Sequence, residues 1–288
     1  TAGGPAGLRL AKEYFEDAKG KHAVGNSAMP DSIMEMLSGP MKLVMSLMGG
    51  SGKPKAGCEV KTQYCTAIPI GTALAQSFDP AFVEQCGDIV GGEMERFGVQ
   101  LWLAPALNIH RSIRCGRNFE YYSEDGFLSG MMSAYEVKAI QDKGVHVVMK
   151  HFALNDCEQD RIGLGVWVNE QAAREVYLKA FQAPVEVGNG NGVMIAYTRW
   201  GAVWSGGNYG LVTGILRNEW GFKGCVITDF NLYGYMAKNA ALAGGTDLEL
   251  TYSAMTPDFE GKNTATVVNQ LRESTHRVLY TVANSNAM

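Results

Sequence analysis

Apolar side chains recur along this chain with two alternating spacings, one typical of helices and one typical of short buried strands. Asp79-Pro80 is a cap and first-turn pair, and apolar residues follow it at helical spacing as far as Phe97. Four more helices are predicted, over about 126–142, 170–187, 210–220 and 263–284. Apolar runs between the helices predict strands at 101–107, 145–149, 193–196, 225–227 and 247–250.

Residues 10–75 lack this alternation, and we predict that they form an irregular insertion. It contains methionine-rich helical patterning at 33–48 and a glycine-lysine loop at 49–57. The loop does not fit a phosphate-binding loop, because Leu47 and Pro54 stand where that motif needs Gly and Ser or Thr. We therefore disfavour an α/β barrel that handles phosphorylated substrates.

The repeated order of strand and helix indicates parallel βαβ units, for which two arrangements are available, a closed barrel and an open doubly wound sheet. No G-x-G-x-x-G follows a predicted strand, which disfavours the dinucleotide-binding form of the open sheet. Polar residues at the strand ends favour the barrel. We count about five or six strands against the eight of a full barrel. The expected fold is a TIM-barrel-like (β/α)8 domain, α/β in class and incomplete at its N-terminus.

Composition narrows the classes of protein. The 288 residues are 46% hydrophobic and 19% charged, so we assign 1–288 to a single domain, with 255–288 as a closing helix. The net charge of -4 argues against nucleic acid as a partner. No apolar run approaches the roughly 18 residues that span a bilayer, so no membrane partner is expected.

The six cysteines have no C-x-x-C spacing, which fits reduced thiols better than a disulfide framework or a zinc site. We expect no metal and no cofactor. The chain begins at Thr1 without a charged and apolar leader, and together with the thiols this favours a cytoplasmic location.

Polar side chains follow several predicted strands at the point where each strand ends. Asp229 follows the strand 225–227, Lys150-His151 follow 145–149, and Tyr197 follows 193–196. Arg117 lies in a segment of charged and aromatic residues after 101–107. In a barrel these strand ends share one face, where active sites are built. Directed donors, one carboxylate and aromatic walls suit a sugar, which has many hydroxyls and an apolar ring face.

Each of these residues also has an ordinary structural explanation. Arg117 could pair with Glu120 or Asp125, His151 could be a hydrogen-bonded core histidine, and Tyr197 a buried aromatic residue. Their occurrence at successive strand ends makes a shared site the better interpretation.

Several segments, in this order and spacing, resemble glycoside hydrolase family 3 in its β-glucosidase branch. They are Gly4 to Arg9 (GPAGLR), Gly116 to Asp125 (GRNFEYYSED), Lys150 to Asn155 (KHFALN), Val193-Met194 with Tyr197, Ile215 to Gly224 (ILRNEWGFKG) and Thr228-Asp229-Phe230. The resemblance extends to about Leu250.

The resemblance implies a retaining, exo-acting glycosidase that needs neither metal nor cofactor. Asp229 falls on the nucleophile, which forms a covalent glycosyl-enzyme that water later cleaves. The substrate would be a β-glucoside or a short oligosaccharide. The implied substrate-binding residues are Arg117, Lys150, His151, Met194 and Tyr197, with Phe230 on the leaving-group side.

Two departures from the family pattern bear on activity. Position 3 is Gly where the family has an Asp that holds sugar hydroxyls. The acid/base carboxylate of this branch comes from a second domain, and the loop at 153–158 does not match the self-contained branch. The chain therefore resembles the central part of a larger enzyme, cut at both ends.

Two hypotheses follow. In the first, the chain is a β-glucosidase whose acid comes from a second domain, from another subunit of a homo-oligomer, or from Glu120, Glu158 or Glu249. In the second, it is a sugar-binding barrel with little or no turnover.

Overall fold

The structure is a computed structural model that describes residues 1–18, 20–24, 57–231, 233–251 and 258–288. The chain divides into two units, Thr1–Ala6 with Ile68–Met288, and Gly7–Ala67. The predicted helical patterning at 33–48 and nearly all of the loop at 49–57 lie outside the described residues. The assignment of 1–288 to one domain stays a prediction.

The smaller unit contains an antiparallel sheet with strand order β2-β1-β3. Its strands are β1 (Glu13–Asp17), β2 (Gly20–Ala23) and β3 (Val60–Thr62). The prediction of irregular structure was wrong for these strands. They are short and mostly polar, with Phe15 as a buried apolar contact, so the sequence carries almost no period-two signal there.

The larger unit contains the parallel strands. In chain order its strands are β4 (Leu101–Trp102), β5 (His146–Val147), β6 (Met149–Phe152), β7 (Gly165–Val166), β8 (Gly192–Ile195), β9 (Arg199–Trp200), β10 (Val203–Trp204), β11 (Cys225–Phe230) and β12 (Leu248–Leu250). Parallel pairing gives the order β12-β11-β8-β6, and β4 pairs in parallel with β5. Parallel bridges join Ala2 to Trp102 and Ala106 to Lys150.

Helices separate these strands along the chain. They are α1 (Gly71–Gln76), α2 (Pro80–Phe97), α3 (Gly126–Gln141), α4 (Glu170–Ala172), α5 (Lys179–Glu186), α6 (Lys238–Gly244) and α7 (Ala265–Ala283), with π-helical segments at Ala173–Tyr177 and Gly210–Glu219 and 3₁₀ turns at Asn118–Glu120 and Ser205–Gly207. Successive parallel strands lie side by side in chain order. The α/β, TIM-barrel-like class predicted from the sequence is therefore confirmed.

Local sequence explains where the long helices begin and how closely they pack. The side chain of Asp79 accepts a hydrogen bond from the amide of Phe82, and Asp125 caps α3 in the same way. Gly87 of α2 faces α3, and a Cβ there would lie 2.8 Å from the carbonyl oxygen of Glu136. Only glycine permits this approach of the two helices.

The core lies between the parallel strands and the helices. Its largest fully buried side chains include Trp102, Tyr121, Tyr122, Phe152 and Phe181. A second cluster joins Val148, Met194, Cys225 and Ile227 and packs against Val278 of α7. No helix in the described part of the chain is both long and apolar enough to cross a bilayer.

Asp247 connects the closing helix α7 to the sheet. Its carboxylate is fully buried, and it accepts hydrogen bonds from Nη2 of Arg217 and Nε of Arg277, both at 2.7 Å. It also accepts from the amide of Val226 on β11, at 2.8 Å. A buried carboxylate is tolerated here because two guanidinium groups and one amide satisfy it.

We expect Asp247→Asn to lower the free energy of unfolding by about 3–5 kcal/mol, the usual result of removing one partner from a buried ion pair. Urea unfolding followed by circular dichroism measures this. Asp142→Asn, which breaks the exposed ion pair with Lys138, is the matched control and should leave the midpoint unchanged. Equal midpoints for the two variants would contradict the expectation.

Glu136 of α3 is buried and accepts a hydrogen bond from the hydroxyl of Tyr122. Burial raises the pKa of this carboxyl to about 7, and the bond from Tyr122 opposes the rise. The folded state therefore holds a proton that the unfolded chain releases near pH 4.5.

Since the folded pKa is the higher one, the contribution of Glu136 to stability should be fully present at low pH and fall as the pH rises through about 7. Glu136→Gln should flatten this part of the profile, between pH 4.5 and about 7, in urea unfolding. Asp142→Asn, an exposed carboxylate, should leave the slope as in the parent chain. A parent slope that persists in Glu136→Gln would contradict the assignment.

Candidate active site

Asp229 lies at the carboxyl end of β11, where its side chain is 17% exposed. Its Oδ1 accepts a hydrogen bond from the amide of Phe230 at 2.7 Å. Its Oδ2 lies 3.8 Å from Nε2 of His151, which is too long for a hydrogen bond. One carboxylate oxygen is thus fixed by the backbone, while the other has no direct hydrogen bond to His151.

His151 lies on β6, one strand further along the sheet from β8. The side-chain amide of Asn108 holds its backbone by donating to the carbonyl and accepting from the N–H, both at 3.0 Å. The peptide bonds Lys150–His151 and Phe152–Ala153 are cis. Within the described residues the buried Nδ1 of His151 has no hydrogen-bond partner.

The His151 ring is neutral at neutral pH. Burial lowers its pKa well below the ordinary value, and the positive charges of Arg117, Lys150 and Arg161 lower it further. A neutral imidazole can either donate to or accept from a hydroxyl, depending on its tautomer.

Glu120 forms ion pairs with two cations of the site, Arg117 and Lys150. Nε of Arg117 donates to its Oε1, and Nζ of Lys150 lies 3.6 Å from its Oε2. Its side chain is only 5% exposed. Burial lowers the pKa of Lys150, and the charge of Glu120 opposes this effect. For Arg117, burial is the largest single effect and lowers the pKa, but the charge and hydrogen bond of Glu120, together with the charges of Tyr121 and Glu158, outweigh it and raise the pKa. The pairing of Arg117 with Glu120 that the sequence offered is therefore present.

Tyr197 follows β8, next to β11. Its hydroxyl donates to the carbonyl oxygen of Phe230 at 2.8 Å. The guanidinium of Arg161 lies 4.9 Å from the ring centroid, and the ring of Tyr233 meets it edge to face at 5.8 Å. Burial and the charge of Asp229 raise the pKa of the phenol, so it stays protonated. It remains a donor over the working pH range.

Met194 and Phe230 occupy different surroundings from the polar residues. Met194 is 4% exposed and lies opposite Ile227 on the neighbouring strand, within the apolar cluster below Asp229. Phe230 contributes its backbone to the site, through its N–H to Asp229 and its carbonyl to Tyr197. The stacking role implied for its ring stays a prediction.

Arg161 and Asn108 belong to the same neighbourhood and were missed from the sequence. Nη1 of Arg161 lies 3.2 Å from Glu158, whose other oxygen accepts from Asn155 at 2.8 Å. The spacing of Glu158 and Arg161 by three residues was the available signal, but an irregular loop gives no reason to expect a fixed contact. No sequence pattern marked Asn108 as part of the site, because among the described residues its side chain hydrogen-bonds only to the backbone of His151.

The three carboxylates considered as local acids are all held by cations. Glu120 is bound by two cations, Glu158 lies beside Arg161, and Glu249 lies 3.7 Å from Nζ of Lys238. Each of the three is thus engaged in an ion pair, and we assign none of them as the proton donor. Among the residues described, no group of three or more His, Cys, Asp or Glu side chains could hold a metal ion.

A strand-end carboxylate with cations, a neutral histidine and phenols around it, on an α/β barrel, supplies one of the two carboxylates that a glycoside hydrolase uses. Comparison with known sequences agrees. A profile described as the N-terminal domain of glycosyl hydrolase family 3 matches residues 40–284. The chain belongs to this family, as its sequence resemblance indicated.

Its similar relatives include several named β-glucosidases. Beta-glucosidase A of Butyrivibrio fibrisolvens is 40% identical over 185 residues, covering 64% of this chain and 22% of that protein. A beta-glucosidase of Rhizobium radiobacter is 34% identical over 202 residues, covering 70% of this chain and 24% of that protein. The chain therefore spans about a quarter of the length of these curated relatives.

Solved structures give the same result over the whole fold. Beta-glucosidase 3B from Thermotoga neapolitana, in complex with α-D-glucose, superposes with a TM-score of 0.78 at 30% identity. The alignment covers 99% of this chain and 35% of that one.

We expect Glu120→Gln to lower kcat/KM for an aryl β-glucoside by at least about 100-fold, because Arg117 and Lys150 would lose the charge that holds them. Glu124→Gln, an exposed neighbour in the same segment, is the matched control and should keep the parent value. Initial rates at fixed pH, with circular dichroism to confirm folding, measure the effect. A folded Glu120→Gln variant with parental kcat/KM would contradict it.

Proposed function

We propose that this chain is the barrel of a retaining β-glucosidase that hydrolyses terminal non-reducing β-D-glucosyl residues, with Asp229 as the nucleophile. The observation that carries the proposal is the position of Asp229 at the end of β11, with His151 and Tyr197 at the ends of neighbouring strands. Membership of glycosyl hydrolase family 3 and the names of the relatives support it.

The two oxygens of Asp229 differ in a way that suits nucleophilic attack. Because Oδ1 accepts from the Phe230 amide at 2.7 Å, Oδ2 is the oxygen we assign to the anomeric carbon. Attack forms a covalent glycosyl-enzyme and releases the aglycone with a proton from an acid. Water then attacks the same carbon, gives its proton to the conjugate base of that acid and breaks the ester bond to Asp229, which frees the carboxylate and gives net retention.

The groups around Asp229 would hold the sugar while this happens. Arg117 and Lys150 would donate to hydroxyls, and both are held in place by Glu120. Neutral His151 can donate or accept without bringing another positive charge next to the developing oxocarbenium ion. Met194 would provide the apolar surface below the ring, and Phe230 would lie on the leaving-group side.

We assign the role of proton donor to a residue outside this chain. The local carboxylates are engaged by cations, as described above, so we propose a second domain of a longer protein or a second copy as its source. The competing hypothesis, a sugar-binding barrel with little or no turnover, rests on Gly3 in place of the usual Asp and on the lack of an assigned acid/base among the described residues. Losing a charged acceptor there would reduce affinity by roughly 1.5–3 kcal/mol without removing the nucleophile.

Incubation with an activated 2-fluoro β-glucoside should label Asp229, because the fluorine slows the second step and the leaving group departs without an acid. Intact-mass spectrometry with peptide mapping measures the label and its position. Asp229→Asn should remain unlabelled, and Asp142→Asn should label like the parent chain.

A chain that is folded by circular dichroism but takes no label would overturn the proposal and favour the sugar-binding hypothesis.

The source of the acid is tested separately. The chain alone should turn over an activated aryl β-glucoside at a much higher rate than an alkyl β-glucoside, which needs a proton donor.

A further inference from the structure

A small three-stranded sheet begins directly at the proposed sugar site. Strand β7 follows Arg161 and strand β9 follows Tyr197, and the two strands pair in parallel. Strand β10 pairs with β9 in an antiparallel hairpin. Two residues of the proposed site thus lead straight into this sheet.

Trp167 follows β7. Its side chain is 81% exposed, more than that of any other tryptophan of this sheet. Its ring lies against the hairpin turn at Gly201, where a Cβ would come within 3.4 Å of Cζ3 of the indole. A Cβ on Gly165 would lie 3.8 Å from its Nε1. Two glycines therefore support one side of the indole, and the other side faces solvent.

Tyrosine contacts fix this sheet to the site. The hydroxyl of Tyr235 donates to the carbonyl oxygen of Tyr197 at 2.9 Å, and the guanidinium of Arg199 lies 4.8 Å from the Tyr235 ring centroid. Tyr233 stacks on Tyr235 at 6.1 Å and meets Tyr197 edge to face. The hairpin base and the phenol beside Asp229 thus belong to one packed aromatic group.

The position of Trp167 relative to Tyr197 decides which sugar ring of a bound oligosaccharide could contact it. Tyr197 and Gly201 are four residues apart in sequence, and strand β9 lies between them. The hairpin turn beside Trp167 is therefore separated along the chain from the phenol beside Asp229 by this strand. We propose that Trp167 is a stacking platform for a distal sugar ring on the reducing-end side of a β-glucan oligosaccharide. This inference rests on the proposed function and specifies its substrate class.

The chemistry of the surface fits a sugar ring. The open indole face is rigid, flat and uncharged, and it matches the apolar C–H face of a pyranose. The supporting glycines leave room for the indole to lie against the turn. Strands β7 and β9 of this sheet also begin a few residues after Arg161 and Tyr197 of the site, as expected if one linear substrate occupies both.

The test measures binding in an Asp229→Asn background, so that hydrolysis does not consume the probe. Calorimetric titrations use cellotetraose and laminaritetraose, with cellobiose as the short probe. Trp167→Ala should weaken the better-bound tetrasaccharide about tenfold and lower the tetrasaccharide-to-cellobiose affinity ratio by the same factor. Trp167→Phe should restore most of the loss.

Leu279→Ala is the matched control, an apolar side chain of α7 that is 59% exposed. It lies at the far end of the barrel, since the chain after α7 contacts Gly144, just before β5 begins. It should change no affinity. Equal affinities of the Trp167→Ala and parent chains, or no binding of either tetrasaccharide to the parent, would overturn the platform.

The two proposals fail in different ways. Covalent label on Asp229 together with parental tetrasaccharide binding by Trp167→Ala overturns the platform alone. No label, with a tenfold loss in Trp167→Ala, overturns the glycosidase proposal and supports the platform as a sugar-binding surface.

Discussion

The shared carboxylate of Glu120 is the interaction on which the arrangement of the site depends. Arg117 and Lys150 come from different segments, and both are largely buried. Burying either cation alone would be costly, and burying both near one another would add repulsion. Glu120 offsets both effects by binding one cation with each oxygen. Burial lowers the pKa of His151, and the two cations that Glu120 holds lower it further, so Glu120 fixes the positions of charges that act on the histidine.

The order of the parallel strands positions the other residues of the site. Strands β6, β8 and β11 end at the same edge, and this places His151, Tyr197 and Asp229 together although they are far apart in sequence. Their convergence could be predicted, because apolar runs followed by polar residues mark strand ends. The predicted strand at 145–149 ended too early, since β6 continues to Phe152. Lys150 and His151 are polar residues on the strand itself, which the apolar pattern does not include.

Other parts of the site could not be predicted for physical reasons. The sheet that carries Trp167 has strands of two residues, too short for any period to show. Arg161 acts through its contact with Tyr197, and the backbone of Phe230 binds two side chains whatever its own side chain is. Such contacts depend on how loops return to the strand ends. Residue type alone does not encode them.

The ion pairs of Asp247 also bear on how the chain acquires its fold during synthesis. Arg217 is translated before Asp247, but Arg277 on α7 follows it and emerges after every parallel strand in the described part of the chain. Until then the carboxylate next to β11 has one guanidinium partner where the finished structure has two. Domains assemble from the N-terminal side as the ribosome releases them, so docking of α7 is a late step. The strand that carries Asp229 therefore pairs with β8 before the second ion pair of Asp247 can form.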